Sequence, residues 1–174
     1  LSLLLVPVND PIPGMLDTII LHLDRLQKSD KNESNYGLKT LAKIVHAYVH
    51  LLVLGGYGLP IQDCCKTGEH LNPPIGDWDW RCTFLPGEGF AIGSFPNMGM
   101  ELNPSELALL QRLLQPKLPL RKDGEIMGPK KVWLNLLEVI ECWIENHLPR
   151  NLHSLKMLKE LSINSKIKSN ITIN

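Results

Sequence analysis

Cys64, Cys65, Cys82 and His70 are the residues whose types are best suited to chemistry. Thiolates and imidazoles bind zinc, and a structural zinc site takes four of them, usually as two close pairs. Cys64 and Cys65 are adjacent, and Thr67 stands where the second ligand of a pair would fall. A rearranged set built from Cys64 or Cys65, His70 and Cys82 is the one metal reading the spacing leaves open; inert thiols are the other. Adjacent cysteines join only in a strained ring, and the spacing is not that of a small disulfide scaffold. Free thiols in a reducing compartment are therefore expected.

Nucleophilic catalysis needs a cysteine or serine beside a base, and six histidines are available. No local motif supports it. G-x-S-x-G, H-E-x-x-H and a phosphate-binding glycine loop are all missing. Gly87-Glu88-Gly89-Phe90-Ala91-Ile92-Gly93 begins as G-x-G but has neither the last glycine at the right spacing nor an obvious following helix. No catalytic residue is expected.

Charge is the remaining chemistry. The 174 residues carry 18 cations and 18 carboxylates, so no global field favours nucleic acid or membrane. The distribution is uneven: residues 1–111 hold 7 Lys and Arg against 12 Asp and Glu, and residues 112–174 hold 11 against 6. Lys130 and Lys131 fall in the first turn of an expected helix, where cations oppose the helix dipole. Arg150, His153, Lys156 and Lys159 cluster behind Pro149. These cations are either a solvated face or a surface for phosphates or an acidic peptide.

The elements that carry these groups read as mainly helical. Pro11, Pro13 and Gly14 make a turn. A helix over Met15 to Gln27 follows, with Leu16, Ile19, Ile20, Leu23 and Leu26 at three- and four-residue steps. Ser29 to Gly37 reads as a loop. Leu38 to Leu54 is the most apolar helix, with Leu41, Ile44, Val45, Tyr48, Leu51 and Leu52 on a broad face that Val49, Val53 and Leu54 widen. It should be central and buried, and Gly55-Gly56-Tyr57-Gly58 should end it.

Ile61 to Met100 changes character, with eight glycines and prolines between Gly68 and Gly93. Trp78 to Phe84 alternates as a strand does, Pro86 to Gly89 turns, and Phe90 to Ile92 returns as a second strand. Asn103-Pro104-Ser105-Glu106 is a capping-box helix start, and Pro116 ends that helix. Pro129 opens the longest helix, to about His147, with Trp133, Leu136, Leu137, Ile140, Trp143 and Ile144 as its stripe. A final helix is expected over Leu152 to Leu161, with a polar tail over 162–174. Leu1 to Val6 is too short to span a bilayer and has no basic flank, so it reads as the end of a helix that begins upstream.

Four pieces of the chain, in order, resemble a known family. They are Ala47-Tyr48-Val49-His50-Leu51-Leu52 through Leu54-Gly55-Gly56-Tyr57-Gly58-Leu59-Pro60 to Cys64; the Trp80 to Phe90 hairpin with Gly89; Leu102 to Leu110; and Trp143 to Leu158. Together they are similar to the C-terminal helical part of the RecO family of DNA repair and recombination proteins, of cyanobacterial type. The resemblance implies a mostly α domain over 1–161 with a small β-hairpin, degenerate zinc-knuckle-like insert at about 61–100. It also implies an N-terminal oligonucleotide-binding barrel that this chain does not contain. It implies no enzyme activity and no cofactor.

The implied partners are single- and double-stranded DNA, RecR, and the acidic tail of single-stranded DNA-binding protein, in the cytoplasm at the nucleoid and not at a membrane. The implied work is loading recombinase and annealing strands. Cys64 stands at the family's first zinc-ligand position, Thr67 replaces the second, and no cysteine lies near Gly93 to Pro96. No metal is therefore expected, and Trp78, Trp80, Phe84 and Phe90 should hold the insert by packing. Lys130, Lys131, Arg150, Lys156 and Lys159, chosen by charge clustering, would meet phosphates or the acidic tail. An apolar groove between helices would take the tail's hydrophobic end. A helical adaptor with no DNA role is the alternative.

Overall fold

The computed structural model describes residues 12–28 and 35–148. They form four helices, α1 (Met15–Gln27), α2 (Tyr36–Leu54), α3 (Pro104–Arg112) and α4 (Lys130–His147). Between α2 and α3 lie three strands, β1 (Cys82–Leu85), β2 (Gly89–Ile92) and β3 (Met100–Leu102). They make one antiparallel sheet in the order β2-β1-β3, with Phe84 opposite Phe90 and Met100. The mainly helical domain is what periodicity predicts; the predicted hairpin is here part of a three-stranded sheet. The final helix expected over Leu152 to Leu161 lies outside the described residues, as does the Leu1 to Val6 segment.

α2 sits at the centre because its apolar residues repeat at helical spacing. Leu41, Ala42, Val45, Val49 and Leu52 are buried in the core with Trp133, Leu136, Leu137 and Ile140 of α4. Burial of such a side chain contributes about 1.5–3 kcal/mol. By length and composition alone α2 could cross a membrane, but its inward face is this core. Ile44 and Tyr48, expected on the buried face, are only half-buried, and His46 is buried instead. Gly56 ends α2 with φ 79°, and the indole N–H of Trp143 donates to the Tyr57 carbonyl at 2.8 Å, tying α4 to that turn.

α1 departs most from the simplest amphipathic reading. Its bounds agree with the periodicity, but Leu16, Ile20 and Leu23 are half or more exposed, and Met15 and His22 are its buried residues. The helix turns a polar–apolar mixture inward because α2 offers it His46 and His50 as neighbours.

The sheet replaces part of the expected hairpin. Trp78 to Trp80 is a bend, not a strand, because the Asp77 carboxylate accepts the backbone N–H groups of Asp79 and Trp80 at 3.0 and 3.1 Å. The insert is held by Phe84 and Phe90, both fully buried with ring centroids 5.1 Å apart, and by Trp80 against the core. Trp78 does not join them; it is 70% exposed. β3 was not expected. It adds to β1 where Gly99 passes so close that a Cβ there would lie 1.9 Å from the Phe84 carbonyl oxygen. α3 starts on the predicted capping box: Glu106 N–H donates to Asn103 Oδ1 and Asn103 N–H to Glu106 Oε2, both at 3.0 Å.

Candidate functional site

Two clefts lie side by side along α1, α2 and residues 114–120. One, of about 520 Å³, is apolar and lined by Thr18, Leu21, His50, Val53, Leu54, Leu114 and Pro116. The other, of about 470 Å³, is basic and lined by His22, Arg25, Lys43, His46, Lys117, Leu118 and Leu120. Both lie in the size range of ligand pockets. No carboxylate is among the described residues lining either cleft.

Three histidines form the wall between them. His22 is one residue from Leu21 on α1; His46 and His50 are one turn apart on α2, so their rings meet edge to face with centroids 4.1 Å apart and planes at 62°. The Gln115 carbonyl accepts from Nε2 of His46 at 2.9 Å and Nε2 of His50 at 3.1 Å. With the His50 proton on Nε2, its Nδ1 is an acceptor, and His22 Nε2–H donates to it at 3.2 Å; this tautomer pattern follows from the network. Burial, then the neighbouring imidazoles and Arg25, hold His22 down to about 4. Burial likewise brings His46 to about 4, against the hydrogen bond to Gln115, which raises it. Burial lowers His50 as well. At neutral pH the wall is uncharged.

The positive charge of the groove therefore comes from Arg25, Lys43 and Lys117. Arg25 donates to the Pro116 carbonyl at 3.2 Å, and Lys43 donates to the Arg25 carbonyl at 2.8 Å. These bonds join α1, α2 and the segment after α3 while keeping both cations at the cleft. Sequence reasoning missed all three, since they are distant in the chain. A local signal existed: Arg25 is three residues after His22 and Lys43 three before His46, which puts each on the histidine face of its helix.

Of the residues singled out by charge, Lys131 is exposed and Lys130 half-buried at the start of α4, and neither lines the two clefts. Arg150, Lys156 and Lys159 lie outside the described residues.

The thiols are free and take separate roles. Burial alone pushes the Cys64 thiol up, but the Thr67 hydroxyl and the N–H groups of Ile92, Thr67 and Lys66 outweigh it, bringing the thiol from 9.0 down to about 7. The Ile92 N–H lies 3.4 Å from Cys64 Sγ. Thr67, at the position where the resemblance places a zinc ligand, helps lower the thiol, while its hydroxyl also lies 3.3 Å from Glu69 Oε2. Cys82 is buried and pushed up to about 12 by that burial, then by the other two thiols. His70 turns to Asp63, 3.1 Å away at the surface, rather than toward the cysteines. Among the described residues no group of three or more His, Cys, Asp or Glu is placed to hold a metal ion.

The family model for the C-terminal part of recombination protein O matches residues 1–156. The chain belongs to that family. Among RecO relatives, the DNA repair protein RecO of Prochlorococcus marinus strain MIT 9303 is 57% identical over 165 residues, covering 95% of this chain and 62% of the relative. That of Synechococcus sp. strain WH7803 is 51% identical over 160 residues, 92% of this chain and 59% of the relative. The RecO of Nostoc sp. strain PCC 7120 is 26% identical over 185 residues, 86% of this chain and 60% of the relative. The chain thus spans about three-fifths of the length of the curated relatives it matches. No solved structure matches it.

Proposed function

We propose that this chain is the helical part of a DNA repair and recombination mediator, acting in the cytoplasm at the nucleoid by binding and not by bond chemistry. In this reading the groove takes the acidic, apolar-ended tail of single-stranded DNA-binding protein. One observation carries it: an apolar cleft lies beside a cleft with three cations, across the histidine wall, and no carboxylate is among the described residues lining either. A hydrophobic side chain at the tail's end would fill the space between Leu21, Val53, Leu54, Leu114 and Pro116. The carboxylates before it would lie against Arg25, Lys43 and Lys117. Neutral histidines suit this wall, since they add no charge to desolvate at the apolar end and still offer polar edges at the basic end.

DNA contact is proposed at Lys130 and Lys131, with Arg150, Lys156 and Lys159 extending the same cationic ground. Lys131 is the exposed one at the α4 start, where a cation opposes the helix dipole and so is not there for helix stability, which suits contact with phosphate. The domain over 1–161, its degenerate knuckle, an oligonucleotide-binding barrel upstream and the partner RecR are parts of the same proposal, supported by family membership.

Fluorescence anisotropy with a labelled acidic peptide ending in phenylalanine tests the groove. Lys117→Glu is expected to weaken binding about fivefold to tenfold, as reversal of an exposed rim charge does, with a flatter salt dependence. Equal affinity for wild type, Lys117→Glu and Leu21→Glu would remove the tail from this groove. Salt-titrated binding of the intact gene product to single-stranded DNA separates a mediator from an adaptor. Affinity that does not fall with salt would leave the adaptor.

A further inference from the structure

We infer that the segment 152–161 docks as a helix along the flank of α1 that carries Leu16, Ile20 and Leu23, closing the side of the bundle opposite the histidine groove. These three residues are 68%, 55% and 50% exposed. They stand at i, i+4 and i+7, so they form one stripe of the helix. At about 100° per residue, that stripe lies on the other flank of α1 from Thr18, Leu21 and Arg25, which line the clefts.

α2 continues the same flank. By the same count Ile44 and Tyr48 lie across α2 from His46 and His50, and both are only half-buried. Half-buried Ile19 borders the stripe on α1. An apolar stripe on one helix, continued on its neighbour, is the kind of surface that a soluble protein covers.

The path of the chain selects the occupant. α1 runs antiparallel to α2: Leu21 shares a cleft with Val53 and Leu54, His22 meets His50, and Lys43 donates to the Arg25 carbonyl. α4 finishes at the same end of α2, where the Trp143 indole N–H donates to the Tyr57 carbonyl. The chain therefore leaves Leu148, which is buried in the core, at the end of the bundle where α1 begins. Pro149 cannot continue α4, and residues 149–151 are a short connection. A link of that length returns the next helix antiparallel to the one before it, which here means parallel to α1. Four Cα steps reach at most about 14 Å, more than the roughly 8–10 Å between packed helices.

Length and sidedness match as well. As a helix the segment 152–161 rises about 14 Å, against about 10 Å from Leu16 to Leu23. Leu155, Leu158 and Leu161 fall on one side of it, and Lys156 and Lys159 on another. Docked by its leucines, the segment keeps both lysines in water, on the flank away from the groove. Phosphates on those lysines and a peptide in the groove then do not compete.

Thiol accessibility in the intact gene product tests this, read residue by residue by mass after maleimide labelling. Ile20→Cys and Met98→Cys stand at positions of like exposure, 55% and 57%. Ile20→Cys is expected to react about tenfold or more slowly than Met98→Cys, as a site that must open first does. Adding Leu155→Asp and Leu158→Asp should bring the two rates together, with the Met98→Cys rate unchanged and buried Cys82 still unreactive. Equal rates in the first comparison overturn the inference. So does protection of Ile20→Cys that survives the two aspartates, which would assign the cover to residues 1–11, an upstream domain or a second copy. A short bis-maleimide should also join Ile20→Cys to Leu158→Cys within one chain. Failure to join them overturns the inference even where the aspartate variants do not fold.

Discussion

Around the groove, three imidazoles crowd together and stay neutral. In the insert, one thiol of comparable burial is drawn toward its anion. Burial opposes charge in both places, so the difference lies in the neighbours. The histidines face one another, Arg25 and the Gln115 carbonyl that two of them share; Arg25 and the neighbouring imidazoles act in the same direction as burial. Cys64 faces hydrogen-bond donors from Lys66, Thr67 and Ile92, which together exceed it. The charge state of a buried group is thus decided by what its neighbours donate as much as by how deep it lies.

The largest effect that would sharpen this comparison is in packing. Phe84→Ala, at a fully buried ring between Phe90 and Trp143, should cost about 3–5 kcal/mol in urea denaturation. Leu21→Ala in the groove, already 45% exposed, should cost little. Similar losses at both positions would mean that the groove is part of the core and not an open site.

Acid should separate the two regions next. The folded-state values of His22 and His46 lie near 4, below the usual 6.5, so the folded state binds fewer protons. Their contribution to stability is complete above pH 6.5 and is lost as pH falls toward 4. After allowance for partial solvent screening the loss is about 2 kcal/mol. The urea midpoint at pH 7 and pH 4.5 measures it, and His22→Gln with His46→Gln should flatten the dependence. An unchanged slope in that variant would place the acid sensitivity elsewhere.

Removing one donor tests the insert. Thr67→Val should raise the Cys64 thiol from about 7 toward its ordinary 9.0, read from thiolate absorbance against pH. It should cost about 1 kcal/mol of stability, one hydrogen bond. A thiol that still titrates near 7 would show that the backbone N–H groups suffice without the hydroxyl.

The smallest effect is at the start of α4. Lys131→Glu should stabilise the fold by about 0.3–1 kcal/mol, because a carboxylate suits a helix N-terminus, while weakening single-stranded DNA binding. Stabilisation with unchanged DNA affinity would return Lys131 to a solvated face.

Most of the helical frame was legible beforehand. Met15 to Gln27, the α2 span to within two residues, the Asn103–Glu106 box and the Trp133–Ile144 stripe all follow from local rules of periodicity and capping. Family membership was readable too, from four short pieces in order. The sheet was only half legible. β3 is three residues long and exists because Gly99 lets it lie against β1, a non-local contact that no periodicity announces. Trp78 misled because alternating large and polar residues suit a strand, while a neighbouring carboxylate had already captured the N–H groups a strand would use.

Residue order by itself determined which segments coil, where they start and stop, and which family they belong to, since these depend on neighbours a few positions away. Only the tertiary structure decided the groove. Arg25, Lys43 and Lys117 become one cationic cleft, and His22, His46 and His50 one neutral wall, when α1 and the segment after α3 close on α2. Electrostatics and desolvation act through space, and sequence distance does not measure them.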